Sequence, residues 1–252
     1  MKIVFVGTGV AVFSKKRCSP CIIIELNGNI LVFDCGPGSM RNATLLGYDT
    51  KEIEHVFITH LHLDHVADLI PLVKERGLTT RKRLIVCGPP GLRKYLQNET
   101  KVVFPYLDKL LESWKFLKVC ERKKGLVTRI GSCTISCTPT RHANGIGYKI
   151  DNDGFSVLYS GDTTYDENLV EFGRDVDLAI LECSYPSKEE LKGLHLSPEG
   201  VGILASKMNA KRVALTHLYP ECNGREEEMK RRIREYFRGE VIIPNDGDVI
   251  EL

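Results

Sequence analysis

At 252 residues the chain has room for one large domain or two small ones, and it can bury a sizeable core. Hydrophobic residues at 42% and charged residues at 27% are ordinary for a soluble globular protein and exclude an extended disordered one. A formal net charge of +2 excludes a nucleic-acid binder driven by bulk charge, so phosphate recognition would have to come from locally clustered cations.

The opening Lys2-Ile3-Val4-Phe5-Val6-Gly7 reads as a strand, not as a charged segment followed by a long apolar one. No apolar stretch reaches membrane-spanning length, so the expected setting is the cytoplasm, with no membrane partner. The nine cysteines, an odd number spread through apparent strands, suit small buried hydrophobes in a reducing compartment. Cys18-Ser-Pro-Cys21 has the spacing of half a zinc site, but no second close pair completes it.

Strands are expected over Ile3 to Val6, Cys21 to Leu26 and Ile30 to Phe33, with Asn27-Gly28-Asn29 as a hairpin turn. The corner Asp34-Cys35-Gly36-Pro37-Gly38-Ser39 leads into a helix from Met40 to Leu46; its glycines suit either a plain turn or a close backbone approach. After the apolar run Val56-Phe57-Ile58 comes Thr59-His60-Leu61-His62-Leu63-Asp64-His65. Residues two apart share one side of an extended segment, so His60, His62 and Asp64 can point one way. Val66 to Ile70 reads as a helix opening, which lets His65 reach the far side of the same cavity. A run of surface histidines is the plainer meaning of any one of these rings. Four ligand-type residues at this spacing after a buried strand favour a loop feeding two metals.

Leu84 to Cys87 is a strand stopped by Gly88-Pro89-Pro90, and a helix follows from Gly91 to about Asn98. Phe104, Tyr106, Trp114 and Phe116 read as core or cleft wall. Strands then run over Leu126 to Ile130, Cys133 to Thr138, Ile146 to Ile150 and Phe155 to Tyr159, the last two joined by Asp151-Asn152-Asp153-Gly154. Strand and helix alternate beyond: Leu178 to Leu181, a helix from Pro198 to Met208, Val213 to Leu215, and a charged helix from Arg225 to Phe237. The fold class expected is α/β, a sandwich with helices outside and no linker dividing residues 1 to 252. His142, Asp162 and His217 each follow a strand, where a scaffold collects site residues from distant parts of a sequence, although a cap or a surface His is the commoner use of each alone. Two basic clusters, Arg76 with Arg81-Lys82-Arg83, and Arg122-Lys123-Lys124 with Arg129, can track phosphates or simply face solvent.

The run His60-x-His62-x-Asp64-His65, with His142, Ser160-Gly-Asp162-Thr163 and Thr216-His217, resembles the metallo-β-lactamase superfamily over nearly the whole chain. Gly7-Thr-Gly9, Phe33-Asp-Cys-Gly36, Phe57-Ile-Thr-His60, Gly147-Tyr148, Leu181-Glu182 and His195-Leu-Ser-Pro-Glu199 are similar to the ribonuclease Z family within it. The resemblance implies a four-layer αββα sandwich and a phosphodiesterase or nuclease with two zinc ions, manganese or iron being other occupants. It implies one ion on His60, His62 and His142, a second on Asp64, His65 and His217, and Asp162 bridging them to ionise a shared water. It further implies catalytic roles for Asp64, for His195 facing the scissile phosphate, and for Glu182 orienting that ring. The expected partner is a phosphodiester, either a small nucleotide or RNA, and the expected assembly a homodimer. Ribonuclease Z carries a long arm that grips transfer RNA, often between the strand with its Gly-Tyr and the strand leading to Ser-Gly-Asp-Thr. Only Asp151 to Gly154 occupies that gap here, which points away from transfer RNA and toward a smaller phosphodiester. Ribonuclease Z activity proper, and hydrolysis of a non-phosphate ester, thioester or lactam, are the alternatives.

Overall fold

The computed structural model describes residues 1–103 and 115–252; Phe104, Tyr106 and Trp114 lie outside the described residues. In chain order the elements are β1 (Lys2–Gly7), β2 (Cys21–Leu26), β3 (Asn29–Phe33), α1 (Ser39–Leu45), β4 (His55–Phe57), α2 (Leu63–Val66), α3 (Leu69–Leu78), β5 (Leu84–Gly88), α4 (Leu92–Val103), β6 (Leu117–Glu121), β7 (Gly125–Ile130) and β8 (Cys133–Pro139). They continue as β9 (Ile146–Asn152), β10 (Phe155–Tyr159), α5 (Glu167–Phe172), β11 (Leu178–Glu182), α6 (Pro198–Met208), β12 (Arg212–Thr216), α7 (Glu226–Arg234), β13 (Glu240–Ile242) and β14 (Val249–Glu251).

The strands form two seven-stranded sheets, ordered β14-β1-β2-β3-β4-β5-β6 and β13-β12-β11-β10-β9-β8-β7. Successive side chains on a strand point to opposite faces, so a strand covered on both sides must be apolar throughout. β1 shows this: Ile3 and Phe5 join Leu31, Phe33, Phe57, Tyr148 and Tyr159 between the sheets, while Val4 and Val6 join Leu69, Leu72 and Val73 under the helices of the first sheet. A third cluster packs Leu181, Val213 and Leu215 against Val201 and Leu204 of α6 and Met229 and Ile233 of α7. Helices, sheet, sheet and helices thus stack as the four-layer αββα sandwich expected.

Two sequence-derived helices end several residues from where pattern alone places them: α4 runs on past Asn98 to Val103, and α7 covers only Glu226–Arg234. The Pro198–Met208 helix matches, with Ser197 accepting a hydrogen bond from the Gly200 N–H as its cap. Asp153 and Gly154, both at positive φ, close the β9–β10 hairpin as a tight turn. The first basic cluster is not a surface feature as a whole. Arg76 is buried and its guanidinium donates to the carbonyls of Thr50 and Ile53, and Lys82 pairs with Glu52 at 2.6 Å.

Parallel pairing of β3 with β4, β4 with β5 and β5 with β6 brings the C-terminal ends of these strands to one rim. β10, β11 and β12 are likewise parallel in the second sheet. Open α/β sheets gather their site loops at such a rim.

Candidate metal centre

Seven side chains from five places meet at this rim. His60 and His62 leave β4 in an irregular loop, Asp64 and His65 ride the single turn of α2, His142 follows β8, Asp162 follows β10 and His217 follows β12. Asp64 therefore sits on a helical turn, not on an extended segment with His60 and His62. The loop can lie this close because Gly36 has no side chain: a Cβ there would come within 2.0 Å of the Asp64 carbonyl oxygen.

Two candidate ligand sets result, with donor atoms within 4.8 Å of one another: His60, His62, His142 and Asp162, and beside them Asp64, His65 and His217. Asp162 lies between the sets. Its Oδ2 is 3.7 Å from the Nε2 atoms of His60 and His142 and 3.3 Å from His217 Nε2, while Oδ1 is 3.3 Å from His65 Nε2. His217 Nε2 is 3.5 Å from Asp64 Oδ2, and His62 Nδ1 is 3.3 Å from His142 Nε2. Bonds of 2.0–2.1 Å in tetrahedral zinc sites imply ligand–ligand edges of about 3.4 Å. The spacing fits that geometry.

The hydrogen bonds behind the rings decide which nitrogen faces inward. His65 Nδ1 is 2.7 Å from Asp34 Oδ2 and His142 Nδ1 is 3.2 Å from the Leu194 carbonyl, acceptors that require Nδ1–H. Ser184 donates its only hydroxyl proton to Glu182 (2.8 Å), so at 3.0 Å it accepts from His217 Nδ1–H. Thr59 donates to Asp34 in the same way and accepts from His60 Nδ1–H at 3.1 Å. Four imidazoles thus turn an Nε2 lone pair toward the centre. His60 Nε2, His65 Nε2, His217 Nε2 and Asp162 Oδ1 are buried with no hydrogen-bond partner among the described residues. Buried polar atoms without partners are costly, and a cation is the partner this donor set fits.

Charge supports the same picture. Burial opposes ionising Asp162, but His217 and His65 outweigh it and hold the carboxyl well below its usual range. Burial and the neighbouring His65 push the His60 ring well down. For His65 burial is overcome by Asp162 and Asp34, which lift the ring well above the ordinary imidazole range; a cation binding there displaces that proton.

His195 and Glu182 stand beside the cluster. Glu182 is fully buried at the end of β11, where its carboxylate accepts from the N–H groups of Thr163 (2.8 Å) and Leu196 (3.1 Å). Its Oε1 holds His195 Nδ1 at 2.9 Å, and the His195 ring lies 5.1 Å from that of His142 and 5.2 Å from that of His217. Burial lowers the affinity of His195 for a proton, but Glu182 more than restores it and the net shift is upward. His195 with Asp162 and His217 makes a third group with ligand-type atoms within 4.8 Å.

One residue at the centre of this shell was not singled out by pattern. Asp34, fully buried and at φ 59°, accepts from the Thr59 N–H (2.8 Å), the Thr59 hydroxyl, His65 Nδ1 and the Tyr159 hydroxyl (2.7 Å). Its signal in the sequence was Phe33-Asp-Cys-Gly36, which places it at a strand end but not behind His65.

Comparison with known proteins agrees with this architecture. The ribonuclease Z of Halorubrum lacusprofundi is 25% identical over 308 aligned positions covering 100% of this chain and 97% of the relative. The crystal structure of the metallo-beta-lactamase fold protein YhfI from Bacillus subtilis superposes with a TM-score of 0.81 at 22% identity, covering 99% of this chain and 98% of the other. Human tRNase Z, short form, superposes with a TM-score of 0.79 at 20% identity, covering 100% and 99%. A family model described as the Beta-lactamase superfamily domain matches residues 29–218, well over half of the chain, and to that superfamily the chain belongs.

Proposed function

We infer that this chain is a hydrolase that cleaves phosphodiester bonds with two zinc ions, of the ribonuclease Z type. His60, His62 and His142 would hold one ion, Asp64, His65 and His217 the other, with Asp162 between them. Paired divalent ions supply a hydroxide near neutral pH and polarise a phosphoryl oxygen. The chain's own contribution is to fix charges and a proton. Glu182 keeps Nδ1–H of His195 in place, which leaves Nε2 to face the substrate, hydrogen-bond the oxygen where charge develops and pass a proton to the leaving group.

The observation that carries this reading is the His195–Glu182 pair at 2.9 Å beside the cluster, a positioned proton donor that metal binding alone does not need. The relatives named ribonuclease Z support an enzyme of the metal-dependent nuclease and hydrolase class. The tight β9–β10 turn supports a substrate other than one gripped by an arm at that place. A homodimer and a cytoplasmic setting belong to the same reading; no described helix is long and apolar enough to cross a membrane.

The test is metal-quantified protein assayed with zinc or manganese on a chromogenic diester, cyclic nucleotides and precursor transfer RNA. Hydrolysis of at least the activated diester is expected. Protein carrying two metal equivalents that cleaves none of them overturns the reading, and trailer removal from the precursor alone would make the chain a ribonuclease Z proper.

A further inference from the structure

β6 and β7 are the outer strands of the two sheets, and the three residues that join them, Arg122-Lys123-Lys124, are all exposed. Two independent registers place this turn on the rim that carries the histidines. In the first sheet the parallel run β4-β5-β6 pairs Phe57 with Cys87 and Gly88 with Glu121, so Arg122 leaves β6 on the side where Thr59 and His60 leave β4. In the second, Gly125 faces Cys137 on β8, the strand whose C-terminal end runs into Arg141 and His142.

Contacts close the gap between turn and cluster. The Arg122 N–H donates to the Gly88 carbonyl at 2.9 Å. The N–H groups of Gly91 and Arg93 donate to Glu121 Oε1 at 2.8 and 3.0 Å, which occupies the acid nearest the turn. A Cβ at Gly91 would sit 3.3 Å from Cδ1 of Leu61, the residue between His60 and His62. With neighbouring strands about 4.8 Å apart, two strands separate the turn from the His60 loop by on the order of 10 Å.

Lys2, Lys82, Lys207, Lys211, Arg212 and Arg225 each pair with a carboxylate. Arg93, Arg122, Lys123 and Lys124 have no carboxylate partner among the described residues. Cations without such a partner occur elsewhere too, among them Arg81, Arg83, Arg231 and Arg234, and what sets the first four apart is their place on the rim beside the cluster. Four uncompensated cations one or two strands beyond the cluster have nothing to do for a mononucleotide, whose charge is spent at the cluster itself. They suit a ligand that continues past it with further phosphates.

We propose that the Arg122-Lys123-Lys124 turn, with Arg93, is a rail for the backbone phosphates of a single-stranded polynucleotide whose reacting phosphodiester lies over the histidine cluster. This rests on the phosphodiesterase reading above and names its substrate class.

The test is binding, measured by fluorescence anisotropy of a labelled single-stranded RNA 12-mer with and without zinc, at salt concentrations from 50 to 200 mM. Wild type is compared with Arg122→Ser/Lys123→Ser/Lys124→Ser and with Lys230→Ser/Arg231→Ser/Arg234→Ser, which removes the same charge from α7. Each phosphate contact on a single strand contributes about 0.7 to the slope of log affinity against log salt. The rim variant should lose about 2 from that slope, so that its deficit against wild type narrows roughly 16-fold over the fourfold salt range, while the α7 variant keeps the wild-type slope. A rim variant with the wild-type slope, or an α7 variant with the same loss, overturns the rail. Because the readout is binding, a chain that shows the slope change yet hydrolyses no diester would sink the functional reading and leave the rail in place.

Discussion

Asp34→Asn is the substitution that most directly tests how the centre is built. The aspartate Oδ2 receives the Tyr159 hydroxyl at 2.7 Å, His65 Nδ1 at 2.7 Å and the Thr59 hydroxyl at 2.9 Å, and Oδ1 receives the Thr59 N–H at 2.8 Å. All of these are donors. An asparagine keeps the shape but turns one acceptor into an NH2 that faces donors, so at least one charge-assisted bond is lost, at about 1.5–3 kcal/mol. At 1.4 kcal/mol per decade this is a roughly 10- to 100-fold loss, the range seen when a carboxylate behind a ligating histidine is removed. We expect that loss in zinc affinity, measured by competition with a chromophoric chelator, and a circular dichroism spectrum that stays native. An Asp34→Asn protein that folds and holds zinc as tightly as wild type would falsify the account of His65 as a ligand oriented from behind.

Two further outcomes follow from geometry. His195→Ala should lower kcat on an activated diester by about 10²–10⁴ while metal content by mass spectrometry stays at the wild-type level; loss of metal instead would make His195 a ligand. Gly161→Ala places a Cβ 2.6 Å from the Thr59 Cβ at a φ of 57°, so overpacking and a left-handed alanine together should cost about 2–4 kcal/mol. That corresponds to a drop in the melting temperature of the metal-free protein by roughly 4–16 °C, and an unchanged value would show that Thr59 yields without cost.

The sequence carried most of the architecture because its strands are apolar on both faces and its breaks are marked by Gly, Pro and Asn. It carried less where conformation is imposed by neighbours. Asp64 reads as extended from its spacing, yet the chain must turn helical at Leu63–Val66 for Asp64 and His65 to reach opposite parts of one cavity. Arg76 reads as one of a basic cluster, and only its burial against two carbonyls separates it from Arg81 and Arg83. Asp34 and His217 both take positive φ, 59° and 58°, a backbone state that Asp and His adopt more readily than most residues but that nothing in their local pattern marks. Phe116 is buried in the helix-side core, as its aromatic character suggested.

The candidate donors divide between the two halves of the sandwich: His60, His62, Asp64 and His65 ride on the first sheet, and His142, Asp162 and His217 on the second. Neither layer alone offers an ion a complete shell, so tight uptake has to wait until the two layers have docked through their shared aromatic interior. During refolding from denaturant, a zinc-sensitive dye would then trail the recovery of backbone ellipticity, and the cation would lock a finished assembly instead of seeding it.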